Sequence, residues 1–450
     1  MMDRKVAVVG MGGVFPSCSS LSEFEEKLFT NQSLIREWEE AKNYGKKLRS
    51  SVCGYVTLEE AGLEACYSSS NQEYPEIYLD KRERIPIQNT ATADIGSVWA
   101  MLSSLDAIEM SNWNAREVQS ERTGVSIGSG GGGHTVLRQA WNSFFHLGKK
   151  SRAIGGHGVD RTMGYRDAAN VSCLIKNKGV CEAIGSACAT GLGNIGYAYR
   201  LIKFGIQDRM LAGGVEGTSL ETFTGFDAMA VLSRSYSPEE SSRPFDRTRN
   251  GFVCSFGGAV VALEELKSAE ARGANIIAII DGYFNNSDGD GDMFAPSFNG
   301  QQRLWNGLKS EVPHLNPEVV NVHGTSTPVG DGIELFSTID ALGETGYHIA
   351  APKSQFGHML GAAGAVEFIA SLLMLKKQKT TPCLNANWLA ETLEPVQESD
   401  NWQGTMKTVS EFRHLLPTSS LAKEINQLVS LNYGFGGTNS GIILSKYEGK

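Results

Sequence analysis

The chain has no Cys-x-x-Cys pair among its eight cysteines, and their spacing shows no pairing pattern. Neither a zinc site nor a disulfide framework is indicated, so reduced thiols in a cytoplasmic setting are expected. An excess of positive charge is also missing: 41 Lys and Arg stand against 50 Asp and Glu, for a net charge of −9. Nucleic-acid binders carry basic stripes, which argues against that class. There are no long apolar runs either. Residues 6–11, behind Met1-Met2-Asp3-Arg4-Lys5, are too few for a signal peptide or a membrane span. No low-complexity linker divides the chain.

Glycine, by contrast, is abundant. Its 51 copies cluster at residues 128–133, 213–217, 357–364 and 434–441, a pattern of tight turns or close backbone approach. With 450 residues, 41% of them hydrophobic, the chain can bury one extended core or two fused ones. Apolar β-rich runs at 6–9, 124–127, 209–211, 258–263, 276–283, 319–322, 428–431 and 440–444 read as core strands. Amphipathic segments at 91–105, 193–204, 334–342 and 362–376 read as helices. This alternation predicts an α/β protein with a largely parallel sheet covered by helices. The first strand is expected to stop at the glycine after Val9. Segments 34–86 and 380–420 are polar and irregular, and read as surface excursions.

Five stretches carry chemistry. In Gly185-Ser186-Ala187-Cys188-Ala189-Thr190-Gly191, small residues flank one thiol where a strand turns into a helix. The positive end of that helix predicts a lowered thiol pKa, although a free cysteine is often just a buried hydrophobe. The others are His323-Gly324-Thr325-Ser326-Thr327-Pro328, with Asp331 and Glu334 on the helix that follows; Lys353-Ser354-Gln355-Phe356-Gly357-His358; Gly434-Phe435-Gly436-Gly437-Thr438-Asn439; and the run from Arg243 to Phe252. A lone loop histidine is usually structural. Here two of only eight histidines precede helices in glycine-rich turns, as the thiol does, and the carboxyl ends of strands are where ligands bind. No ligand set of typical spacing accompanies the histidines. Asp288-Gly289-Asp290-Gly291-Asp292 fails as a calcium loop, because Met293 and Asn299 stand where Gly and Glu belong. A mobile turn is expected there, and no metal.

Together these motifs resemble the β-ketoacyl synthases of the thiolase superfamily, particularly the elongating condensing enzymes of dissociated fatty-acid and polyketide systems. The resemblance implies a layered αβαβα thiolase-like fold of two similar halves. Residues 1–253 would carry the nucleophile, and 254–450 the two histidines and the Gly-Phe-Gly-Gly loop. It implies that Cys188 accepts the acyl group, that His323 and His358 drive malonyl decarboxylation, and that Lys353, with Glu367 as ionic partner, organises the site. Phe435 would be a gate whose N–H joins that of Cys188 in an oxyanion hole, with Thr325, Thr327, Phe226, Gly434 and Gly436 contacting substrate. No cofactor is implied, since substrates ride on the phosphopantetheine of an acyl carrier protein. Lys81, Arg82, Arg84, Lys149 and Lys150 match the carrier-docking surface. A homodimer is implied, or a heterodimer with a related chain-length-factor subunit.

The chain departs from the family at Phe256, where an acidic residue is usual, at Pro352 and at Gly217. These departures point to a specialised polyketide or polyene pathway, with housekeeping fatty-acid elongation as the alternative. A chain-length-factor partner typically lacks the nucleophile that Cys188 supplies. Thiolases and starter synthases lack the pair of histidines, and a purely structural scaffold would leave three reactive groups without a task.

Overall fold

The computed structural model describes residues 4–67, 75, 77–154, 156–290, 292–387 and 409–449. Ten strands of the described residues share one sheet: β1 Val6–Val14, β2 Thr123–Gly128, β3 Cys181–Glu182, β4 Arg209–Glu216, β5 Gly257–Glu265, β6 Ala278–Ser287, β7 Val319–Asn321, β8 His348–Ala350, β9 Gln427–Gly434 and β10 Thr438–Ser445. Their order is β8-β7-β9-β10-β6-β1-β5-β4-β2-β3. The helices that matter here are α1 Ile95–Ser111, α2 Thr190–Lys203, α3 Leu220–Ala228, α4 Phe298–Glu311, α5 Gly330–Leu342 and α6 Ala363–Lys377.

The sheet is mixed, not largely parallel. β2 pairs in parallel with β3 and β4, while β4·β5 and β5·β1 are antiparallel. The same sequence of pairings recurs beyond the middle: β7 is parallel to β8 and β9, while β9·β10 and β10·β6 are antiparallel. The antiparallel pair β1·β6 joins the two sets. Helix-crossover strands account for the parallel pairs. The antiparallel pairs at the centre join strands distant in sequence, which alternation of element types alone does not reveal.

Side-chain alternation along the strands sets the layers. Val6 and Val8 of β1 pack with Ile195 and Ile202 of α2, Phe368 and Leu372 of α6, and Leu428 of β9. Ala7 and Val9 face the other way, onto Val98, Trp99 and Leu102 of α1. Across the molecule Val320 and Val429 pack on Leu304 and Trp305 of α4 and Leu335 of α5. α2 and α6 thus form a middle layer between strands, with α1 on one outer face and α4 and α5 on the other. α6 is buried from Ala363 through Leu375, as a helix enclosed on all sides must be.

Three expectations are corrected. β1 continues through its glycines to Val14, because glycine there lets α1 approach: a Cβ at Gly10 would lie 2.2 Å from the Ala107 carbonyl oxygen. Segment 34–86 is not all surface. Within it, Arg36–Glu37 pairs with Val52–Cys53, and Trp38 and Cys53 are buried beside Phe223 and Phe256. Of segment 380–420, Cys383, Phe412 and Leu415 join the core around α4 and α5. Residues 68–74 and 388–408 lie outside the described residues. No described helix is long and apolar enough to cross a membrane.

Candidate active site

Cys188 sits in a one-turn 3-10 segment, Ala187–Ala189, that runs directly into α2. Ala187 adopts φ +48, a left-handed position that a Cβ disfavours, so the surroundings must hold it. They do so through side chains acting as backbone. Asn194 on α2 accepts from the Ile184 N–H (3.0 Å) and donates to the Ile184 carbonyl (2.9 Å), and Thr190 Oγ1 accepts from the Ser186 N–H (2.9 Å). The β9–β10 turn closes over the thiol. Gly434 approaches so nearly that a Cβ would lie 2.5 Å from the Ser186 carbonyl oxygen.

His358 follows the short helix Lys353–Phe356. Its N–H bonds the Val253 carbonyl (2.7 Å) and its carbonyl accepts from Ser255 (2.9 Å), which holds the ring so that Nε2 lies 3.0 Å from Cys188 Sγ. His323 ends the extension of β7, with its ring centroid 5.1 Å from that of His358 and nearly perpendicular to it. Sulfur and both imidazoles lie within 4.8 Å of one another, so the three chemistry-bearing turns converge as the sequence implied. The thiol also completes a Cys-His-His set that spacing alone did not show.

Lys353 Nζ lies 3.3 Å from His323 Nδ1 and also donates to Glu367, whose other oxygen accepts from Asn432 Nδ2 at 2.7 Å. An ammonium is only a donor. His323 Nδ1 must therefore accept, and the imidazole proton is placed on Nε2. His358 Nδ1 is buried with no partner among the described residues, which assigns its proton to Nε2, facing the sulfur. Burial pushes both imidazoles well below their ordinary pKa, and the Lys353 charge adds to it. Both rings are neutral donors near neutral pH.

The expected lowering of the Cys188 pKa is reversed. Burial pushes the thiol up to about 12, although Lys353 and the N–H groups of Phe435 and Cys188 pull the other way. Removing the ion from water outweighs the helix end. The resting pair is thus thiol and neutral imidazole, and the sulfur loses its proton only as it reacts. Those two N–H groups reach the sulfur.

The remaining implied residues are placed as follows. Thr325, Thr327, Phe226 and Gly434 line a cavity of about 340 Å³ with Cys188, His323 and His358. Gly436 adopts φ +86 in the turn beyond Phe435 and donates to the Met293 carbonyl (2.8 Å). The Phe435 ring meets Phe294 edge-on at 5.3 Å. Asp288, placed in a mobile turn by its sequence, is buried and held by Asn439 Nδ2 (2.7 Å). Lys81, Arg82, Lys149 and Lys150 are exposed, whereas Arg84 is paired with Asp106 at 2.5 Å.

Sequence reasoning gave no role to three buried groups. Glu334 accepts from the His323 N–H (2.6 Å) and the Gly324 N–H (2.7 Å) and so aims the imidazole. Asn432 holds Glu367. Glu216 accepts from Gly130 (2.9 Å), Gly131 (3.3 Å) and Gly361 (3.0 Å), tying together two glycine loops beside the thiol. Acidic residues inside apolar or glycine-rich runs were the available signal.

Burial lifts Glu216 from 4.5 to about 8, against the pull of those N–H groups and of Arg166. A carboxyl that holds its proton more tightly when folded adds stability that is complete below about 4.5 and lost as pH rises to about 8. Melting temperature is expected to fall by a few degrees between pH 5 and 8. Glu216→Gln, which mimics the protonated acid, should flatten that slope; an unchanged slope in scanning calorimetry would count against it.

Comparison with known proteins agrees with this geometry. The family model described as "Beta-ketoacyl synthase, N-terminal domain" matches residues 3–269, and "Beta-ketoacyl synthase, C-terminal domain" matches residues 277–387. A 3-oxoacyl-(acyl-carrier-protein) synthase 1 of Haemophilus influenzae is 40% identical, covering 78% of this chain and 82% of the relative. One of Buchnera aphidicola is 35% identical, covering 99% and 100%. A crystal structure of a β-ketoacyl synthase from Burkholderia phymatum superposes with a TM-score of 0.82 at 29% identity, covering 99% and 100%. With a thiol, two neutral imidazoles and two backbone donors in one cavity, the chain belongs to the β-ketoacyl synthase family of acyltransferases.

Proposed function

We propose that the protein is an elongating β-ketoacyl-acyl-carrier-protein synthase, extending a Cys188-bound acyl chain with malonyl carrier in a specialised polyketide or polyene pathway. The observation that carries the chemistry is the 3.0 Å contact of thiol and imidazole with the second imidazole 5.1 Å away, ring to ring. In the first half-reaction Sγ attacks the carbonyl carbon of the acyl-carrier thioester. The thiol proton passes to the departing carrier sulfur, His358 Nε2–H stays hydrogen-bonded to Sγ, and the N–H groups of Cys188 and Phe435 hold the oxyanion. In the second, malonyl carrier loses CO2, and the electron pair becomes an enolate whose oxygen receives the Nε2–H groups of His323 and His358. The enolate carbon then attacks the acyl carbonyl, the C–S bond breaks, and the released thiolate takes a proton from water. Lys353 and Glu367 position rather than react. Thr325 and Thr327, whose hydroxyls lie 3.1 Å apart, would contact the pantetheine or malonyl portion beside Phe226, Gly434 and Gly436, with Phe435 as gate.

No resident cofactor enters this scheme; the phosphopantetheine arrives on the carrier. An acidic carrier needs a local basic rim on a chain of net charge −9, which Lys149, Lys150, Lys81 and Arg82 would supply. The reading includes two similar halves, one bearing the thiol and one the histidines. The repeated strand pairings support this and group β5 with β1 and β4. It also includes pairing with a second copy or a related subunit.

The pathway reading rests on Phe256. Where the family usually has an acid, this ring packs edge-on against Trp38 (5.8 Å), in an aromatic cluster under Leu220 and Phe223 of α3. Fatty-acid elongation is the second reading, favoured by what the Haemophilus and Buchnera relatives are called. Turnover on matched saturated and polyunsaturated acyl carriers separates the two. Preference for unsaturated chains is expected, and a clear preference for saturated ones would reverse the assignment.

A further inference from the structure

Beside Cys188 lies a second chamber of about 390 Å³, which shares Cys188, Phe226, Met229 and Phe435 with the cavity that holds the histidines. Its near wall is apolar: Phe226, Met229, Leu360 and Phe435. Its far wall is not, being formed by His134, Glu221, Thr222 and Glu216. These same four residues also line a further cavity of about 270 Å³, together with Thr218 and Arg138. The two spaces are separated by one layer of polar side chains, at whose centre His134 Nδ1 and Thr222 Oγ1 are 3.0 Å apart.

That layer has unused hydrogen-bonding capacity. The Thr222 hydroxyl lies 3.2 Å from Ser219 Oγ, to which it donates, so it accepts from His134 Nδ1 and leaves His134 Nε2 available to a ligand. Thr218 Oγ1 is buried, lines the far cavity, and has no partner among the described residues. Buried polar atoms are nearly always satisfied, so an unsatisfied one facing a cavity marks where an incoming polar group would sit. Charge decides which kind. Arg138 is bound to Glu221, and the carboxyl groups of Glu221 and Asp94 line the space, which disfavours an anion. A neutral oxygen, hydroxyl or ketone, fits. A chamber serving plain hydrocarbon chains would be apolar at its blind end, because an alkyl terminus there gains nothing and leaves polar groups unpaired.

We infer that the acyl chamber ends in a polar wall, built from His134 and Thr222 with Thr218 behind it, that receives the oxygenated distal end of the growing acyl chain. This deepens the synthase reading and rests on it. Chains too short to cross the apolar section would be handled without discrimination. Longer chains would be selected by the oxygen they carry.

The test uses the full-length enzyme with acyl carriers in matched pairs, octanoyl to dodecanoyl, with and without a terminal hydroxyl. It reads both Cys188 acylation by intact mass and kcat/KM for β-ketoacyl formation. The wild type is expected to favour the hydroxylated member by about tenfold at the longer lengths. Thr222→Val, nearly isosteric, and His134→Phe should each bring that ratio to one or below. A wild-type ratio near one at every length overturns the inference, and so does a preference that survives both substitutions. Failure of every chain to acylate Cys188 would instead overturn the synthase reading beneath it.

Discussion

Cys188→Ala is expected to lower β-ketoacyl formation by at least about 10,000-fold while leaving decarboxylation of malonyl carrier measurable. His323→Ala should do the reverse: acyl transfer to the sulfur persists, and decarboxylation falls about 100- to 1,000-fold, the usual cost of one donor to a developing oxyanion. The asymmetry follows from distance and tautomer. His358 Nε2 touches the sulfur at 3.0 Å and so serves both half-reactions, and His358→Ala should slow both. His323 takes its hydrogen bond from Lys353 at Nδ1 and is free to act only through Nε2, on the enolate. Because burial holds both rings far below their ordinary pKa, these effects should be nearly independent of pH between 6 and 8. Single-turnover acylation followed by intact mass, with CO2 release measured separately, distinguishes the roles. If His323→Ala abolished acylation as fully as Cys188→Ala, the division of labour would be wrong.

The motifs around Cys188, His323 and His358 were readable because glycine-rich turns before helices are local features, and the helices started after Cys188 and His358, α2 and α6, form the middle layer. The antiparallel centre of the sheet was hidden because the β5·β1 and β1·β6 pairs join strands distant in sequence. β1 looked too short because glycines at 10, 12 and 13 read as a turn, whereas Gly10 and Gly12 serve the contact with α1. The thiol was misjudged in sign, since a helix terminus is visible in a sequence and the degree of burial is not. Glu334 escaped for a related reason. Its carboxylate acts on the backbone of His323 across the β7–α5 turn, so its task depends on a fold of the chain and on no spacing rule. Asp331 does the same beside it, accepting from Phe245 (2.9 Å) and Ser326 (3.0 Å), and so docks the Arg243–Phe252 run onto the histidine loop.

Glu367→Gln is expected to destabilise the fold by about 3–5 kcal/mol, the usual result of leaving one partner of a buried ion pair alone. Lys353 and Glu367 are both fully enclosed, and burial lifts Glu367 to about 7 against the pull of the lysine. The pair is therefore costly to keep, which raises the question of what it does. Its partners supply the answer: Asn432 fixes one carboxylate oxygen, the other fixes Lys353, and Lys353 in turn fixes the tautomer of His323. If this chain of contacts exists for catalysis and not for stability, replacing both charges by apolar residues should separate the two. Lys353→Met with Glu367→Leu is expected to recover most of the stability lost in Glu367→Gln, yet to decarboxylate malonyl carrier about 100-fold more slowly than wild type, because His323 Nδ1 then has no donor and the ring loses its fixed tautomer. Urea denaturation and CO2 release, measured on the same preparations, decide the matter. A double variant that is stable and fully active would reduce the lysine to packing, and one as unstable as Glu367→Gln would show that the ion pair itself holds the middle layer together.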